Sequence, residues 1–207
     1  PGVRRAGFGE KLAEHGFGCT ELCFSQTDSK YWVYNGRADL AELTDDRCRS
    51  IVATYRDRGV AVTALGCFTN LADPDEGERA ANLAYFTRML QLASLSGVPY
   101  VATECGFTPG KRGVNADSYE ADFARLRESL AIVTRQAARL GVVIALEPCV
   151  LDIVPSAKRA ADLLGQVGSD HLKILLDPAN LIANNTLEEM FDTLAPAIAY
   201  FHGKDRK

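Results

Sequence analysis

Six short apolar segments that alternate with longer amphipathic segments constrain the fold of this chain more than any other feature of its sequence. Each short segment is a near-continuous run of apolar residues, which is typical of parallel strands buried on both faces. Because no linker or low-complexity stretch interrupts the alternation, it predicts a single α/β domain with a parallel sheet and right-handed crossovers. The predicted strands are Thr20–Phe24, Val60–Leu65, Tyr100–Thr103, Val142–Leu146, Leu172–Leu176 and Ile198–Phe201.

The amphipathic segments carry residues that commonly begin and end helices. Thr44, followed by two aspartates, is a typical helix N-cap with an acidic first turn. The next helix is predicted to be capped by Asp73, with a proline in its first turn and Glu76 completing a capping box. A third long helix is predicted over about residues 117–140. The remaining predicted caps and stop signals are Gly59, Gly97, Gly141, Ser156 and Thr186.

Two architectures satisfy this order of elements, a doubly wound sheet and a TIM barrel. No GxGxxG or P-loop motif follows the first strand, although many doubly wound nucleotide-binding proteins carry one there. Polar residues instead recur at or shortly after the strand ends, where TIM barrels assemble their active sites. We therefore expect a TIM (β/α)8-type barrel. The polar residues at these strand ends are Asn70, Glu104, Glu147, Asp177 and His202.

The length of the chain limits how much of a barrel it can form. A closed barrel of eight units takes about 250 residues, whereas this chain has 207 residues and shows six strand segments. We expect one domain over residues 1–207, an incomplete barrel whose first and last strands are absent or unrecognised. Such a barrel exposes two strand edges. We therefore expect the natural chain to be longer at both ends, or another segment to cover the seam.

Two carboxylates and one imidazole stand at three successive strand ends. Glu147 follows a run of apolar residues, Asp177 repeats that arrangement, and each directly precedes a proline. His202 ends the last predicted strand. Together they form an oxygen and nitrogen ligand set that suits Mn²⁺, Mg²⁺, Co²⁺ or Zn²⁺. Taken singly, each acid has a simpler interpretation, as a cap of the next helix or as the ion-pair partner of a Lys or Arg at the rim.

These strand ends also carry a family resemblance. Leu146–Pro148, Leu176–Leu181 and Phe201–Asp205 resemble the metal-site segments of the xylose isomerase-like TIM barrels. Cys67–Asp75 is similar to the segment that follows the third barrel strand in that superfamily. The superfamily includes sugar and sugar-phosphate isomerases and epimerases, inosose dehydratases and endonuclease IV. The resemblance spans about residues 12–205.

The resemblance implies roles for the rim residues. Glu147 is implied to be a metal ligand that doubles as an acid/base, and Asp177 and His202 are implied to be the second and third ligands. In the epimerases of the family a glutamate of the eighth strand is a fourth ligand, and this chain stops before any such strand. The family often has His three residues after the aspartate. Asn180 stands there in this chain, and its amide can hydrogen-bond a substrate hydroxyl.

The implied reaction is proton transfer next to a carbonyl group of a sugar, sugar phosphate or polyol. A divalent ion lowers the cost of forming an enediolate, one carboxylate removes the proton, and another group returns it. Glu147 is the first candidate for the base. Glu104 is a candidate to contact the substrate or to assist acid/base work, and a salt bridge across the rim is an equally good interpretation. The candidate substrate contacts are Glu104, Asn180, Lys204 and Asp205.

Residues in the loops after the strands support further hypotheses. Asp205 is also a candidate to hydrogen-bond His202 and orient its ring. Lys111 and Arg112 lie in a glycine-rich loop, where they would either meet a phosphate or carboxylate of the substrate or remain solvated. Tyr31 and Trp32 follow the first strand and are candidates to wall the pocket or to cover the core.

Three other functions stay open. A cyclic polyol dehydratase of the inosose type needs nearly the same residues, because loss of water follows the same enediolate. A non-catalytic barrel that binds a sugar or metabolite would fit Asn180 and the missing eighth strand. Endonuclease IV-like phosphodiester cleavage fits less well, because the extra histidines of that enzyme are absent from Val62–Gly66 and Val101–Cys105.

Composition narrows the partners and the location. The formal net charge is -4 and no five like charges are consecutive, which argues against a nucleic-acid partner. No apolar run approaches the roughly 18–20 residues of a membrane span, and the N-terminus lacks a signal-peptide core. The six cysteines include no CxxC pair, which is typical of a reduced, cytoplasmic protein. The family resemblance implies a homo-oligomer.

Overall fold

The computed structural model describes residues 5–25 and 34–205 and contains six parallel strands that pair in chain order. All six predicted strands are confirmed to within one residue at each end, whereas Tyr31 and Trp32 lie outside the described residues. The strands are β1 (Cys19–Cys23), β2 (Ala61–Gly66), β3 (Tyr100–Glu104), β4 (Val143–Glu147), β5 (Leu172–Leu176) and β6 (Ile198–Phe201). The helices are α1 (Arg5–Glu14), α2 (Asp45–Arg56), α3 (Glu76–Ser96), α4 (Tyr119–Leu140), α5 (Ala157–Val167), α6 (Pro178–Leu181) and α7 (Leu187–Leu194).

Most predicted helix ends are confirmed. The side chains of Thr44, Ser156 and Thr186 each accept a backbone N–H in the first turn of the helix that follows. Gly97 and Gly141 end α3 and α4 in the left-handed conformation, with φ of 71° and 67°. A residue with a Cβ rarely adopts that conformation, so the two glycines stop these helices for a steric reason.

The predicted start of α3 is wrong by two residues. The helix begins at Glu76, and Asp75 rather than Asp73 accepts the N–H of Glu78 as the cap. Asp73 is buried, and its carboxylate accepts the N–H of Asp75 instead. The proline therefore lies in a tight turn before the helix. An Asp at either position can cap a backbone N–H, and the fold of the preceding loop selects between them.

The two faces of the sheet have different partners. The helices cover the outer face and form the main hydrophobic core with it. The inner face carries a small separate cluster, in which small residues of neighbouring strands leave room for two tyrosine rings whose centroids are 5.7 Å apart. This packing fills the base of a barrel interior and leaves the carboxyl ends of the strands above it. The cluster consists of Ala64, Ala102, Ala145 and Leu175, with Tyr100 and Tyr200.

The sheet curls so strongly that its first and last strands approach one another. The Thr63 hydroxyl on β2 lies 2.9 Å from the Tyr200 hydroxyl on β6. Glu21 Oε2 on β1 lies 3.3 Å from His202 Nε2 just after β6. A flat sheet of this order would hold these residues four or five strand spacings apart, at about 4.8 Å each. The fold is therefore an incomplete TIM barrel, with the carboxyl ends of its strands around one rim.

Two findings bear on the chain's surroundings. All six cysteines are free, and four of them are buried. Within the described part of the chain, every helix is too short or too polar to cross a membrane. A cytoplasmic location remains a prediction.

Candidate metal centre

Three strand ends bring two carboxylates and an imidazole together. Glu147 is the last residue of β4, Asp177 follows β5 directly, and His202 follows β6 directly. Because the strands are parallel, these three ends lie at the same edge of the sheet. One potential ligand atom from each residue lies within 4.8 Å of the others. An ion held at about 2.0–2.2 Å from each ligand requires ligand atoms no more than about 4.4 Å apart, so small side-chain rotations would bring these three groups onto one ion.

Asp177 offers one oxygen to a cation. Its side chain is 1% exposed, and Oδ1 accepts the N–H of Ala179, which caps α6. Oδ2 is buried and accepts no hydrogen bond from the described residues. Lys204 Nζ lies 2.8 Å from Oδ2 and forms an ion pair with it. A buried carboxylate oxygen without a hydrogen bond is costly unless a cation neutralises it.

Glu147 and His202 are joined by direct contacts. Glu147 is 4% exposed, and its Oε1 accepts a hydrogen bond of 2.7 Å from Asn180 Nδ2. His202 Nδ1 lies 3.6 Å from the same Oε1, and Nε2 lies 3.3 Å from Glu21 Oε2. The contacts with Glu147 and then Glu21 raise the pKa of His202 to about 10. A cation that binds this imidazole therefore has to displace a proton.

Glu104 adds a further carboxylate beside this group. It ends β3 and pairs in register with Glu147 on β4. Its Oε2 is buried without a hydrogen bond from the described residues, and Arg112 lies 3.7 Å away. Burial, followed by the charges of Asp152 and Glu147, raises the pKa of Glu104 to about 7. The side chain faces the pocket, so the salt bridge across the rim and the substrate contact are both compatible with its position.

Arg112 is held against the wall of the pocket. Its guanidinium donates to Asp152 Oδ1 at 3.0 Å and lies 4.4 Å from the centroid of the Phe107 ring. Asp152 is fully buried and also accepts the backbone N–H of Cys105. Burial raises the pKa of Asp152 to about 6, although Arg112 opposes the shift. Arg112 is thus paired with protein groups rather than freely solvated.

The rim residues line an open cavity of about 480 Å³, a volume within the range of small-molecule pockets. Asn180 contacts this group through its amide, which accepts from Lys204 Nζ at 2.8 Å and donates to Glu147. Asp205 is exposed, and the described contacts of the His202 ring are with Glu21 and Glu147 rather than with Asp205. The lining residues are Glu21, Phe68, Glu104, Glu147, Asp177, His202, Gly203 and Lys204.

Sequence reasoning missed two acids of this region. Glu21 stands in the middle of β1, and a charge at the centre of a five-residue strand is a signal that could have drawn attention to it. Asp152 follows Glu147 by five residues in an irregular loop, and no pattern in the sequence marks it as buried. Both become visible only when the curled sheet and its loops are in place.

The residues present fit a divalent cation. Two carboxylates and an imidazole form a donor set common to Mn²⁺, Mg²⁺, Co²⁺ and Zn²⁺ sites, and the buried Asp177 Oδ2 already pairs with a cation, the Lys204 ammonium. Four carboxylates line the same cavity and outnumber its two basic side chains, His202 and Lys204. Such a cluster is unfavourable without cations nearby. The four are Glu21, Glu104, Glu147 and Asp177.

Comparisons with known proteins agree with this architecture. YcjR from E. coli, a 3-keto-D-glucoside 4-epimerase, has a TM-score of 0.80 at 17% identity, covering 99% of this chain and 75% of that chain. D-psicose 3-epimerase from Clostridium cellulolyticum H10, solved with D-tagatose, has a TM-score of 0.79 at 19% identity, and the match covers 99% of this chain and 68% of that chain. The IOLI protein, solved with a zinc atom, has a TM-score of 0.74 at 19% identity, and the match covers 96% of this chain and 66% of that chain.

At these identities the structural similarity shows a shared fold. No curated protein sequence matches the chain significantly. The sequence profile of the xylose isomerase-like TIM barrel family matches residues 10–207, which is nearly the whole chain. The chain therefore belongs to the xylose isomerase-like TIM barrel family.

Proposed function

We propose that this protein is a divalent-metal-dependent isomerase or epimerase of a sugar or sugar phosphate, acting by proton transfer next to a carbonyl through an enediolate. The observation that carries the proposal is the convergence of Glu147, Asp177 and His202 within 4.8 Å at the mouth of the barrel. The similarity to two sugar epimerases and to a zinc-bound protein of the same fold supports it.

Glu147, Asp177 and His202 are the residues that would hold the metal ion. When bound, a divalent ion polarises a substrate carbonyl and hydroxyl and makes the enediolate less costly. Asp177 keeps one oxygen on the helix cap and presents the other to the cavity. The Glu21 carboxylate, on the far side of the His202 ring, orients the imidazole.

Glu147 is the proposed base. It is buried and lines the cavity, and Asn180 donates to its Oε1, so its carboxylate is held in one orientation. A positioned carboxylate at a strand end can remove a proton from the carbon beside a carbonyl.

One buried acceptor is available to a substrate hydroxyl. Glu104 Oε2 is buried, lacks a hydrogen-bond partner among the described residues, and belongs to a side chain that lines the cavity. A polyol that donates to this oxygen would satisfy it, which is how buried polar groups give specificity for hydroxyl-bearing ligands. Glu104, Asn180, Lys204 and Asp205 remain the proposed substrate contacts.

Solvent-deuterium exchange tests this function. The purified chain, loaded with Mn²⁺, is incubated in D₂O with a panel of ketoses, ketose phosphates and inososes. NMR is then used to follow deuterium entering the carbon next to the carbonyl, and the metal content is measured by plasma mass spectrometry. We expect exchange on at least one ketose or ketose phosphate, and its loss in Glu147→Gln. Glu128→Gln, an exposed glutamate on α4, is the matched control.

Other outcomes discriminate between the alternatives. Loss of water from an inosose would indicate the cyclic polyol dehydratase instead. Saturable sugar binding without exchange would indicate a non-catalytic barrel. A wild-type protein without stoichiometric metal, together with unchanged exchange in Glu147→Gln, would contradict both the metal centre and the proposed base.

A further inference from the structure

Lys204 places a positive charge directly on the candidate metal centre. Its Nζ lies 2.8 Å from Asp177 Oδ2 and donates to Asn180 Oδ1 at 2.8 Å. The side chain is 54% exposed, so its stem reaches in from the mouth of the cavity rather than from the core. The ammonium therefore sits on an atom that a divalent ion would use.

Asp177 has room for one cation on the cavity side. Oδ1 accepts the N–H of Ala179, and among the described residues the buried Oδ2 is contacted by the Lys204 ammonium. An ammonium and a divalent ion on the same buried oxygen would be two positive charges only a few ångströms apart, which is strongly unfavourable in a poorly solvated site. Lys204 and the ion are therefore alternatives at this oxygen.

Lys204 also acts on Glu147 through Asn180. The Asn180 amide accepts from Lys204 with Oδ1 and donates to Glu147 Oε1 with Nδ2 at 2.7 Å. Because an ammonium only donates, Lys204 fixes which side of the amide faces Glu147. One lysine thus neutralises one predicted ligand and orients the partner of another.

We propose, on the basis of the metal centre proposed above, that Lys204 is the internal counter-cation of that centre. It neutralises Asp177 while no divalent ion is bound, and it leaves Asp177 when an ion binds. A flexible lysine suits this exchange, since its four-carbon stem can swing toward solvent without disturbing the fold. The lysine lowers the affinity for the ion, stabilises the metal-free protein, and becomes available at the mouth of the cavity after loading.

A Mn²⁺ titration of matched variants tests this proposal. Wild type, Lys204→Met and Lys173→Met are titrated with Mn²⁺, and free ion is measured by electron paramagnetic resonance. Lys173 forms only a 3.9 Å pair with Asp170, away from the cavity, so its variant loses the same charge without touching the centre. We expect Lys204→Met to bind Mn²⁺ at least about tenfold more tightly, because the competing charge is gone. Lys173→Met should bind like wild type.

Thermal melting and lysine acetylation test the proposal in two further ways. In EDTA, Lys204→Met should melt at a lower temperature than wild type, and Mn²⁺ should raise its Tm by more. In the wild type, acetylation of Lys204 should become faster on Mn²⁺ loading, relative to Lys173, when followed by mass spectrometry. This labelling uses the wild-type protein, so its result does not depend on whether a variant folds.

The outcomes separate this proposal from the metal centre itself. Equal or weaker Mn²⁺ binding by folded Lys204→Met, or unchanged labelling of Lys204 on loading, would overturn the role of Lys204 and leave the metal centre standing. Absence of Mn²⁺ binding by both proteins would overturn the metal centre and this proposal with it.

Discussion

Asp152 and Asp177 are both buried aspartates beside the same cavity, and each faces one cation. Asp152 is paired with Arg112, which stacks on Phe107 and shares the carboxylate with a backbone N–H. Asp177 is paired with Lys204, and one of its oxygens accepts no hydrogen bond from the described residues. The first pair is saturated and held by a planar, stacked group, whereas the second is incomplete and held by a flexible one. The difference indicates a structural pair in the wall and an exchangeable pair at the rim.

Among the variants that test this difference, Asp177→Asn should have the largest effect, and the affected quantity is Mn²⁺ affinity. The amide oxygen can still cap Ala179, but the ligand charge is lost, so we expect Mn²⁺ affinity to fall by more than about 100-fold. The Tm in EDTA should change little, because the cap is retained. Mn²⁺ titration and thermal melting measure the two quantities. Asp170→Asn, which alters an exposed aspartate, serves as the control, and equal affinities in the two variants would contradict a metal role for Asp177.

Asp152→Asn should change how stability depends on pH. Burial raises the pKa of Asp152 to about 6 from 3.8, so between these values the folded state binds more protons than the unfolded state. Stability from this group is therefore present at low pH and is lost as pH rises through about 6. The difference in free energy of unfolding, wild type minus variant, should fall by on the order of 2 kcal/mol from pH 4 to pH 7. Urea unfolding in EDTA across that range measures it, and a constant or rising difference would contradict the expectation.

Arg112→Met should lower the free energy of unfolding, because it breaks the pair with Asp152, and should leave Mn²⁺ affinity nearly unchanged. The variant leaves the fully buried Asp152 without a cation, which we expect to lower the free energy of unfolding by about 1–2 kcal/mol, less than for a fully buried pair because Arg112 is 42% exposed. Mn²⁺ affinity should stay within about twofold. The matched control is Arg159→Met, in which a stacked arginine loses a surface pair with Asp162. We expect it to cost less than about 1 kcal/mol by urea unfolding. A large loss of Mn²⁺ affinity in Arg112→Met but not in Arg159→Met would show that the Asp152–Arg112 pair is coupled to the metal centre.

Glu21→Gln should have the smallest effect. Glu21 contacts His202 from β1, and loss of this orienting carboxylate should lower Mn²⁺ affinity by about tenfold. The fold should be retained, because the pair is partly exposed. Glu10→Gln, which alters an exposed pair on α1, is a suitable control. Mn²⁺ titration decides the outcome, and an unchanged affinity would restrict the centre to the three strand-end residues.

Much of the architecture was predictable from local pattern. The strands were placed to within one residue, because a buried parallel strand is a short apolar run between helix caps and glycine stops. Glu147, Asp177 and His202 could be grouped, because carboxyl ends of successive parallel strands share one edge. Their role as ligands stays a proposal. The start of α3 was missed, because two aspartates compete for one cap and the choice depends on the loop before them.

The order of strands and helices can be read from the amino-acid sequence, and so can the edge of the sheet at which each polar residue lies, since both follow from interactions among residues close along the chain. Which charges meet across that edge depends on how the whole chain packs. Glu21 reaches His202 over 181 positions of sequence, and Lys204 rather than Asp205 meets the centre. These contacts depend on the curl of the sheet and on loop paths, which arise from the packing of the whole core and leave no local periodic signal.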